Sequence, residues 1–491
     1  MSFMEEDNLQ HKSWIALATA LTLYGCGSSS DPTEPSVPEA TAPAEEVPTP
    51  EPPFFTTFPV DEDAVTDIRD YLVESPALQL VEVSDDQVLT TIEDINRHSL
   101  DAYQEVISNS RRNWGENSLS LVAGFEEIRA QAMVGLGERN SSVANMIDSR
   151  QSDEQLNASL LEIQKVIWQT LPPEQHTKTN HVWLQTNYPL DRQYLSELES
   201  YYNAKLEPAD FITNSDTVED LIGQWFVAHS GSYHWGYAAS KTRVVQATTS
   251  YTNLNWHESN VVEAIFEYAE DYGTSNDELL DNIYPGKVAA IAIKNSAVRS
   301  ANTEFEQFDI ALGSSKLILR VIMPFHGHFD AVEQTYIEGN LADTVALPLD
   351  EADAVILPCI SFEKSDLEPE DTSFYDSDFE RINTYGALEL SVYNQFSKIT
   401  LNKHGITKEF NQSMSLQGTA EENYYFAGAI GDGSGWYKVT PHIDTTGIQS
   451  IIRPFIFELR DPTTDVVINN GRVRRLVSSE TLAEDLESCR N

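Results

Sequence analysis

The sequence predicts an α+β fold in which helices come first and strands follow. Apolar residues recur at helical spacing from Asp86 to Ser108, and further helical segments follow as far as His229. Beyond that point alternating runs typical of strands dominate, including Leu388–Leu401 and an apolar hairpin around an Asp-Pro-Thr-Thr turn, Pro454–Val473. Because helices and strands are segregated along the chain, α+β is favoured over alternating βαβ units.

The N-terminus carries an export signal, which we place at residues 1–25. Lys12 precedes an apolar run, Trp14–Tyr24, that is shorter than the roughly 20 residues a membrane span needs. The sequence Leu-Tyr-Gly-Cys ending at Cys26 is similar to a bacterial lipobox. We therefore expect secretion across the inner membrane and a lipid anchor on Cys26, at a bacterial membrane or the cell surface. An ordinary signal peptide with an incidental cysteine is the alternative.

The next segments connect this signal to the folded part. Residues 26–60 are rich in Pro and Glu and cannot bury a core, so we expect a disordered, extracellular tether. Residues 61–83 form a short lead-in, with a helix predicted over Asp61–Pro76.

Composition and charge exclude one class of partner. The chain has 491 residues, is 41% apolar and carries a formal net charge of -47. That apolar fraction supports a sizeable core. Nucleic acid is a poor partner because phosphate binding needs clustered Lys and Arg.

Short motifs follow one another in a definite order through residues 84–475. They are, in sequence order, Gly135–Ser141, Thr179–Trp183, Tyr201–Ala204 with Ala209–Phe211, Ile222–Val227, Met323–Pro324, Arg453–Phe455 and Gly471–Val473. In this order and at these spacings they resemble the serpin family. The resemblance implies the serpin fold, with three β-sheets, about nine helices and an exposed C-terminal reactive loop, and it leaves residues 476–491 as a tail.

The resemblance also implies a function. Inhibitory serpins present the reactive loop to a serine or cysteine protease, which cleaves it; the loop then inserts into the largest sheet as an extra strand and traps the protease. A serine-type endopeptidase inhibitor of this kind catalyses nothing, uses no cofactor or metal, and has a target protease as its partner. We expect a monomer.

The hinge of the implied loop departs from the family pattern. Gly405 fits the hinge, but small residues are usual after it, and this chain has Ile406-Thr407-Lys408-Glu409-Phe410. In a strand the inward side chains would include Lys408 and Phe410. Overpacking by Phe410 would cost roughly 1–3 kcal/mol, and Lys408 would bury a charge. We therefore expect these two residues to oppose insertion, so that cutting the loop would leave the melting temperature unchanged.

Two further departures concern the site where the sheet opens and the length of the loop. Gln395, Thr248 and the region of Leu121 stand where the family has a hydrogen-bonded cluster, and replacement of the whole cluster indicates different packing there. The scissile bond would fall near Thr419-Ala420, and Glu421–Arg453 makes the rest of the loop several-fold longer than is usual. These departures favour the alternative function, a non-inhibitory serpin-fold protein that binds at the surface or serves a structural role.

Other chemistry has weak support in the sequence. No HExxH, CxxC or Gly-x-Ser-x-Gly motif is present, and His326 and His328 are best interpreted as solvated loop residues, so an enzyme or metal site is disfavoured. Apart from Cys26 the cysteines are Cys359 and Cys489, which either pair or remain free thiols.

Overall fold

The computed structural model describes residues 65–74, 78–110, 119–138, 142–168, 171–230, 238–266, 286–294, 296–348, 354–366, 379–383, 388–418, 451–474 and 482–490. Cys26, Thr419 and Ala420 lie outside the described residues, so the lipidation site and the scissile bond stay predictions.

Nine helices lie within the described residues. They are α1 (Ile68–Glu74), α2 (Asp85–Ser110), α3 (Phe125–Gly135), α4 (Ser142–Met146), α5 (Asp153–Trp168), α6 (Arg192–Tyr202), α7 (Phe211–Ser230), α8 (Phe329–Ile337) and α9 (Leu482–Arg490). None of these described helices is both long enough and apolar enough to cross a membrane.

Local sequence explains several helix ends. The side chain of Asp191 accepts a hydrogen bond from the Tyr194 backbone N–H at 2.9 Å and caps the start of α6. Asn203 ends the same helix in the left-handed conformation, with φ of 50°, a conformation that Asn tolerates better than most residues. Asp210 accepts from the Thr213 N–H at 3.1 Å at the start of α7. The motif residues between Tyr201 and Phe211 therefore terminate one helix and begin the next.

The strands follow the order that the sequence predicted, with most of them in the second half of the chain. They are β1 (Val65–Thr66), β2 (Leu119–Ala123), β3 (His176–Gln185), β4 (Leu190–Asp191), β5 (Ala204–Ala209), β6 (Thr242–Asn255), β7 (Ser259–Phe266), β8 (Gly286–Lys294), β9 (Ala297–Ala301), β10 (Phe305–Ala311), β11 (Ile318–Pro324), β12 (Val345–Leu347), β13 (Ala354–Pro358), β14 (Ile360–Asp366), β15 (Leu388–Leu401), β16 (Gly405–Gly418), β17 (Ile451–Ile452), β18 (Phe455–Arg460) and β19 (Val467–Val473). The α+β class is confirmed.

Three larger sheets and one short pair hold these strands. The largest has the order β12-β9-β10-β11-β18-β19-β2, the second β14-β15-β16-β6-β3-β5 and the third β13-β8-β7-β17, while β1 pairs with β4. The predicted closing hairpin is present as β18 and β19, which pair antiparallel from Phe455↔Val473 to Arg460↔Val467. Asp461 fixes the turn, since its carboxylate accepts hydrogen bonds from the Thr463 N–H and the Thr464 hydroxyl.

Helix α3 packs between the seven-stranded and six-stranded sheets, against β19 and β16. Phe125 and Ile128 on this helix are fully buried. Arg129 is buried as well and donates to the Tyr201 backbone oxygen at 2.7 Å. This helix therefore determines which side chains the inner face of β16 can present to the core.

The chain's end differs from the expected tail. Helix α9 packs on β8 and β7, and a disulfide joins Cys489 to Cys359, with the two Cα atoms 5.6 Å apart. Of the two alternatives left open by the sequence, pairing is therefore the one that the structure has. Among the described residues of the predicted lead-in helix Asp61–Pro76, Val65–Thr66 form β1 and Ile68–Glu74 form α1.

Candidate functional site

The segment that follows β15 is a strand inside the six-stranded sheet. Residues Gly405–Gly418 form β16, which pairs antiparallel with β15 on one side and with β6 on the other. The prediction that these hinge residues begin an exposed loop is therefore wrong for the structure described. Alternate positions from Ile406 to Leu416 are not consistently apolar, because Lys408 and Gln412 stand among them, so the sequence gives no clear strand pattern here.

A tight turn reverses the chain between β15 and β16. The Asn402 side-chain oxygen accepts from the backbone N–H groups of His404, at 2.9 Å, and Gly405, at 3.3 Å. Gly405 enters so close to β6 that a Cβ there would lie 1.9 Å from the Leu254 backbone oxygen. Only glycine fits without moving the backbone, so the sequence position identified as the hinge has a steric reason to be glycine.

The charge of Lys408 is compensated by a buried carboxylate on α3. Its Nζ forms an ion pair with Glu126, and the two side chains are 2% and 0% exposed. The Ser250 hydroxyl donates to the other carboxylate oxygen at 2.6 Å. Burial alone raises the pKa of Glu126, but the charges of Lys408 and Lys178 outweigh it and lower that pKa to about 2.

Two further basic side chains of β3 lie near this carboxylate. Burial, with the nearby charge of Arg129, lowers the pKa of Lys178 to about 7, against the opposing effect of Glu126. Burial also lowers the pKa of His176, to about 4. The Lys178 amino group is buried and has no hydrogen-bond partner among the described residues. The inner face of the sheet therefore holds more basic groups than this one carboxylate pairs with directly.

The Phe410 side chain is also accommodated in the core. It is fully buried and packs against Ala130 of α3, whose small side chain leaves space for the ring. The expectation that Lys408 and Phe410 exclude this segment from the sheet is therefore wrong for this structure. The partners that allow both side chains to be buried are on α3, about 280 residues earlier in the sequence.

The residues predicted to line the opening of the sheet are only partly brought together. Gln395, Gln412, Thr248 and Asn180 are successive Cα partners across β15, β16, β6 and β3. The Thr248 hydroxyl donates to the Asn180 side-chain oxygen at 2.9 Å, and the Tyr393 hydroxyl lies within hydrogen-bonding distance of Gln395 and Gln412.

Leu121 does not join this row. It lies on β2 of the seven-stranded sheet and pairs with Gly471. Sequence analysis missed Gln412 and Asn180, because identifying them requires the strand register.

The far end of the long segment returns to another sheet. Ile451 and Ile452 pair parallel with Ile265 and Phe266 at the edge of the four-stranded sheet. Next to them, Arg453 donates to Glu306 at 2.6 Å. The 32 residues between Gly418 and Ile451 include the candidate scissile bond and lie outside the described residues.

Comparison with solved structures identifies this arrangement. The chain matches a cleaved serpin, Serpin 42Da, with a TM-score of 0.58 at 14% identity, over 80% of this chain and 100% of the other. It matches a loop-inserted structure of a cleaved ovalbumin mutant with a TM-score of 0.58 at 15% identity, over 79% of this chain and 100% of the other. The chain has the serpin fold.

Sequence comparison points to the same family at a greater distance. An uncharacterized serpin-like protein of Methanosarcina acetivorans is 21% identical over 163 residues, which cover 32% of this chain and 36% of the relative. The match thus spans little more than a third of that relative's length. No family model matches the sequence. Together the two comparisons support a divergent relative of the serpins, and the predicted fold class is confirmed.

Of the predicted site residues, the described part of the structure contains the hinge residues and the three residues of the opening region, whereas Thr419, Ala420 and Cys26 lie outside it. The hinge residues Gly405–Phe410 form the first half of β16, an inner strand of the six-stranded sheet. Across the residues that the structure describes, no group of three or more His, Cys, Asp or Glu side chains is placed to hold a metal ion.

Proposed function

We propose that this chain is a serpin-type inhibitor of a serine or cysteine protease that uses Gly405–Gly418 as its inserting segment. The observation that supports the proposal is the fit of this segment between β15 and β6, with an ion-pair partner for Lys408 and a small residue opposite Phe410. In the proposed cycle the segment starts outside the sheet. The protease nucleophile then attacks a carbonyl carbon beyond Gly418, and an ester or thioester to the inhibitor forms as the amine on the far side leaves.

In this proposal, insertion of β16 into the sheet supplies the free energy that traps the protease. Each apolar side chain that moves from water to the core contributes about 1.5–3 kcal/mol, and Ile406, Phe410, Met414 and Leu416 are all buried in β16. Because the acyl-enzyme is attached beyond the C-terminal end of β16, forming this strand would move the protease along the full length of the sheet.

A second function is favoured by the length of the chain after β16. At about 3.3 Å per residue the 14-residue strand is roughly 46 Å long. The 32 residues that follow can reach about 100 Å when extended. An uncut chain can therefore keep β16 in the sheet and still form β17. The alternative is a non-inhibitory, serpin-fold binding or structural protein in which β16 is a permanent strand.

A protease panel distinguishes these two functions. The protein is mixed with serine and cysteine proteases, and products are separated in SDS. An inhibitor gives a covalent complex with at least one of them. The variant Met414→Pro, which removes a central hydrogen-bond donor from β16, should turn complex formation into simple cleavage. The control Gln417→Ala, near the end of the strand, should still form the complex. If cleavage occurs without any complex across the panel, inhibition is wrong and the permanent-strand function stands.

We also propose a lipid anchor on Cys26, which rests on the lipobox-like sequence and the Pro- and Glu-rich tether after it. The variant Cys26→Ser should move the protein from the membrane fraction to the soluble fraction of a bacterial host that processes lipoproteins. Cys359→Ser serves as the control and should leave the distribution unchanged. An unchanged distribution of Cys26→Ser would show that no lipid is attached there.

A further inference from the structure

Helix α9 covers the turn from which β16 begins. The backbone N–H of Lys403 donates to the Cys489 carbonyl oxygen at 2.9 Å. The His404 ring, through Nε2, lies 3.0 Å from the Arg490 carbonyl oxygen. Both acceptors lie in the last turn of α9, where helix carbonyl groups lack partners within the helix. The C-terminal helix and the β15–β16 turn therefore satisfy each other's backbone groups.

Cys489, whose carbonyl oxygen accepts the hydrogen bond from the turn, is also part of a disulfide. Cys489 is 2% exposed and is bonded to Cys359, which follows β13 and precedes β14. The Cys359 N–H in turn donates to the Ala289 oxygen of β8 at 2.9 Å. The disulfide thus fastens the end of α9 to two sheets at once, beside the turn.

The opposite side of the turn is held by Trp256, between β6 and β7, and by Ser259, the first residue of β7. The Trp256 indole N–H donates to the Asn402 oxygen at 2.8 Å, and its backbone N–H donates to the His404 oxygen at 3.1 Å. The Ser259 hydroxyl donates to the Lys403 oxygen. The turn therefore has two sets of contacts, of which only the set from α9 depends on the disulfide.

Without the cross-link α9 has little stability of its own. It is nine residues long, below the length of about 12–15 residues at which isolated helices become even marginally stable. The disulfide closes a loop of 130 residues, so breaking it also returns conformational freedom to the chain's end. Reduction should thus release the α9 contacts before the sheet itself opens.

We propose that the Cys359–Cys489 disulfide is a redox-controlled lock on strand β16. A dithiol attacks the partly exposed Cys359 sulfur and displaces the Cys489 thiolate. Its second thiol then displaces Cys359, so two cysteine thiols form while the dithiol becomes a disulfide. With the lock open, α9 leaves the turn and the first half of β16 opens more often. The proposal concerns the described strand and holds whether or not the protein inhibits a protease.

Hydrogen exchange of the whole chain, measured with and without dithiothreitol, tests the lock. The amides of Gly405–Phe410 should exchange about tenfold faster or more after reduction, because local opening becomes easier. The amides of β18 and β19 should be unchanged, which also shows that the protein stays folded. The double variant Cys359→Ser/Cys489→Ser should exchange like the reduced protein, with no response to dithiothreitol.

Two variants at the turn sharpen the test. His404→Ala removes one of the two α9 contacts and should speed exchange part of the way with both cysteines intact. Lys403→Ala is the matched control, because that contact uses the backbone N–H, and it should change nothing. Equal exchange at Gly405–Phe410 before and after reduction overturns the lock. Since no protease enters the measurement, that result leaves the proposed inhibition to be judged by the complex assay alone.

Discussion

The ion pair of Arg472 with Glu333 and the ion pair of Lys408 with Glu126 have the same chemistry in different surroundings. Arg472, on β19, donates to both carboxylate oxygens of Glu333 at 2.8 and 2.9 Å, and the Tyr103 hydroxyl donates to one of them at 3.0 Å. All of these groups lie on elements that stay in place in either of the proposed functions.

The second pair joins α3 to the strand that the proposed inhibitory cycle inserts. If β16 is outside the sheet, Glu126 loses Lys408 but keeps Lys178 of β3 and the Ser250 hydroxyl nearby. A buried carboxylate left without any cation is strongly destabilising. The Arg472–Glu333 pair therefore suits a single state of the chain. Glu126, in contrast, has a second cation nearby, Lys178, in a state without β16 in the sheet.

Removing the carboxylates gives the largest expected effect. Both Glu126→Ala and Glu333→Ala should lower the free energy of unfolding by about 3–5 kcal/mol, because each removes the carboxylate that forms an ion pair with a buried cation. Hydrogen exchange should show the Glu126→Ala loss concentrated in β16 and the Glu333→Ala loss across the whole domain. Glu162→Ala, which breaks an exposed pair on α5, is the control and should change little. Identical exchange patterns for the first two variants would remove the distinction between the sites.

Filling the space opposite Phe410 should have a smaller effect. Ala130→Leu should cost about 1–3 kcal/mol by overpacking, measured by urea unfolding. The second change Phe410→Ala should recover part of that loss when added to Ala130→Leu, because the two side chains share one space. If the two effects simply add, Phe410 does not pack against α3.

The buried amino group of Lys178 should make the free energy of unfolding depend on pH. The pKa of Lys178 falls from 10.5 to about 7 in the folded chain, so between these values the unfolded chain binds the extra proton. Stability from this group therefore rises with pH from about 7 towards 10. Between pH 7 and 9 the wild type should gain about 1 kcal/mol or more relative to Lys178→Met, measured by urea unfolding. The exposed-site control Lys205→Met should follow the wild type, and an unchanged slope in Lys178→Met would contradict the shift.

Cutting the chain distinguishes the two proposed functions. If β16 is a permanent strand, a nick between residues 419 and 450 should move the melting temperature by no more than about 2 °C, because β16 is already in the sheet. From the sequence, the same result is predicted on the ground that Lys408 and Phe410 block insertion, whereas in the structure both side chains are accommodated in β16. An upward shift of tens of degrees would show that the uncut chain begins with β16 outside the sheet.

The closing hairpin shows what sequence could predict. The strands around Asp461 alternate clearly, and the Asp-Pro-Thr-Thr turn is formed by neighbouring residues, so local rules were sufficient. The ends of α6 and the start of α7 are likewise set by nearby side chains, those of Asp191, Asn203 and Asp210.

Strand β16 could not be predicted by local rules. Lys408 at an inward position argues against a core strand unless the partner Glu126, 282 residues away, is known. The row through Gln395, Gln412 and Thr248 depends on strand register, and the pairing of Cys359 with Cys489 depends on how the chain's end packs. These are non-local facts, and no pattern in one stretch of sequence contains them.

The number of residues from Gly418 to Ile451 bears on how this protein folds after denaturation. Here the connection is long enough for the uncut chain to return to the six-stranded form, and lengthening it adds only about 0.6 kcal/mol of closure entropy per doubling. If β16 is a permanent strand, the six-stranded form of the intact protein should therefore be recoverable from full denaturation, as a property of the sequence rather than a record of past proteolysis.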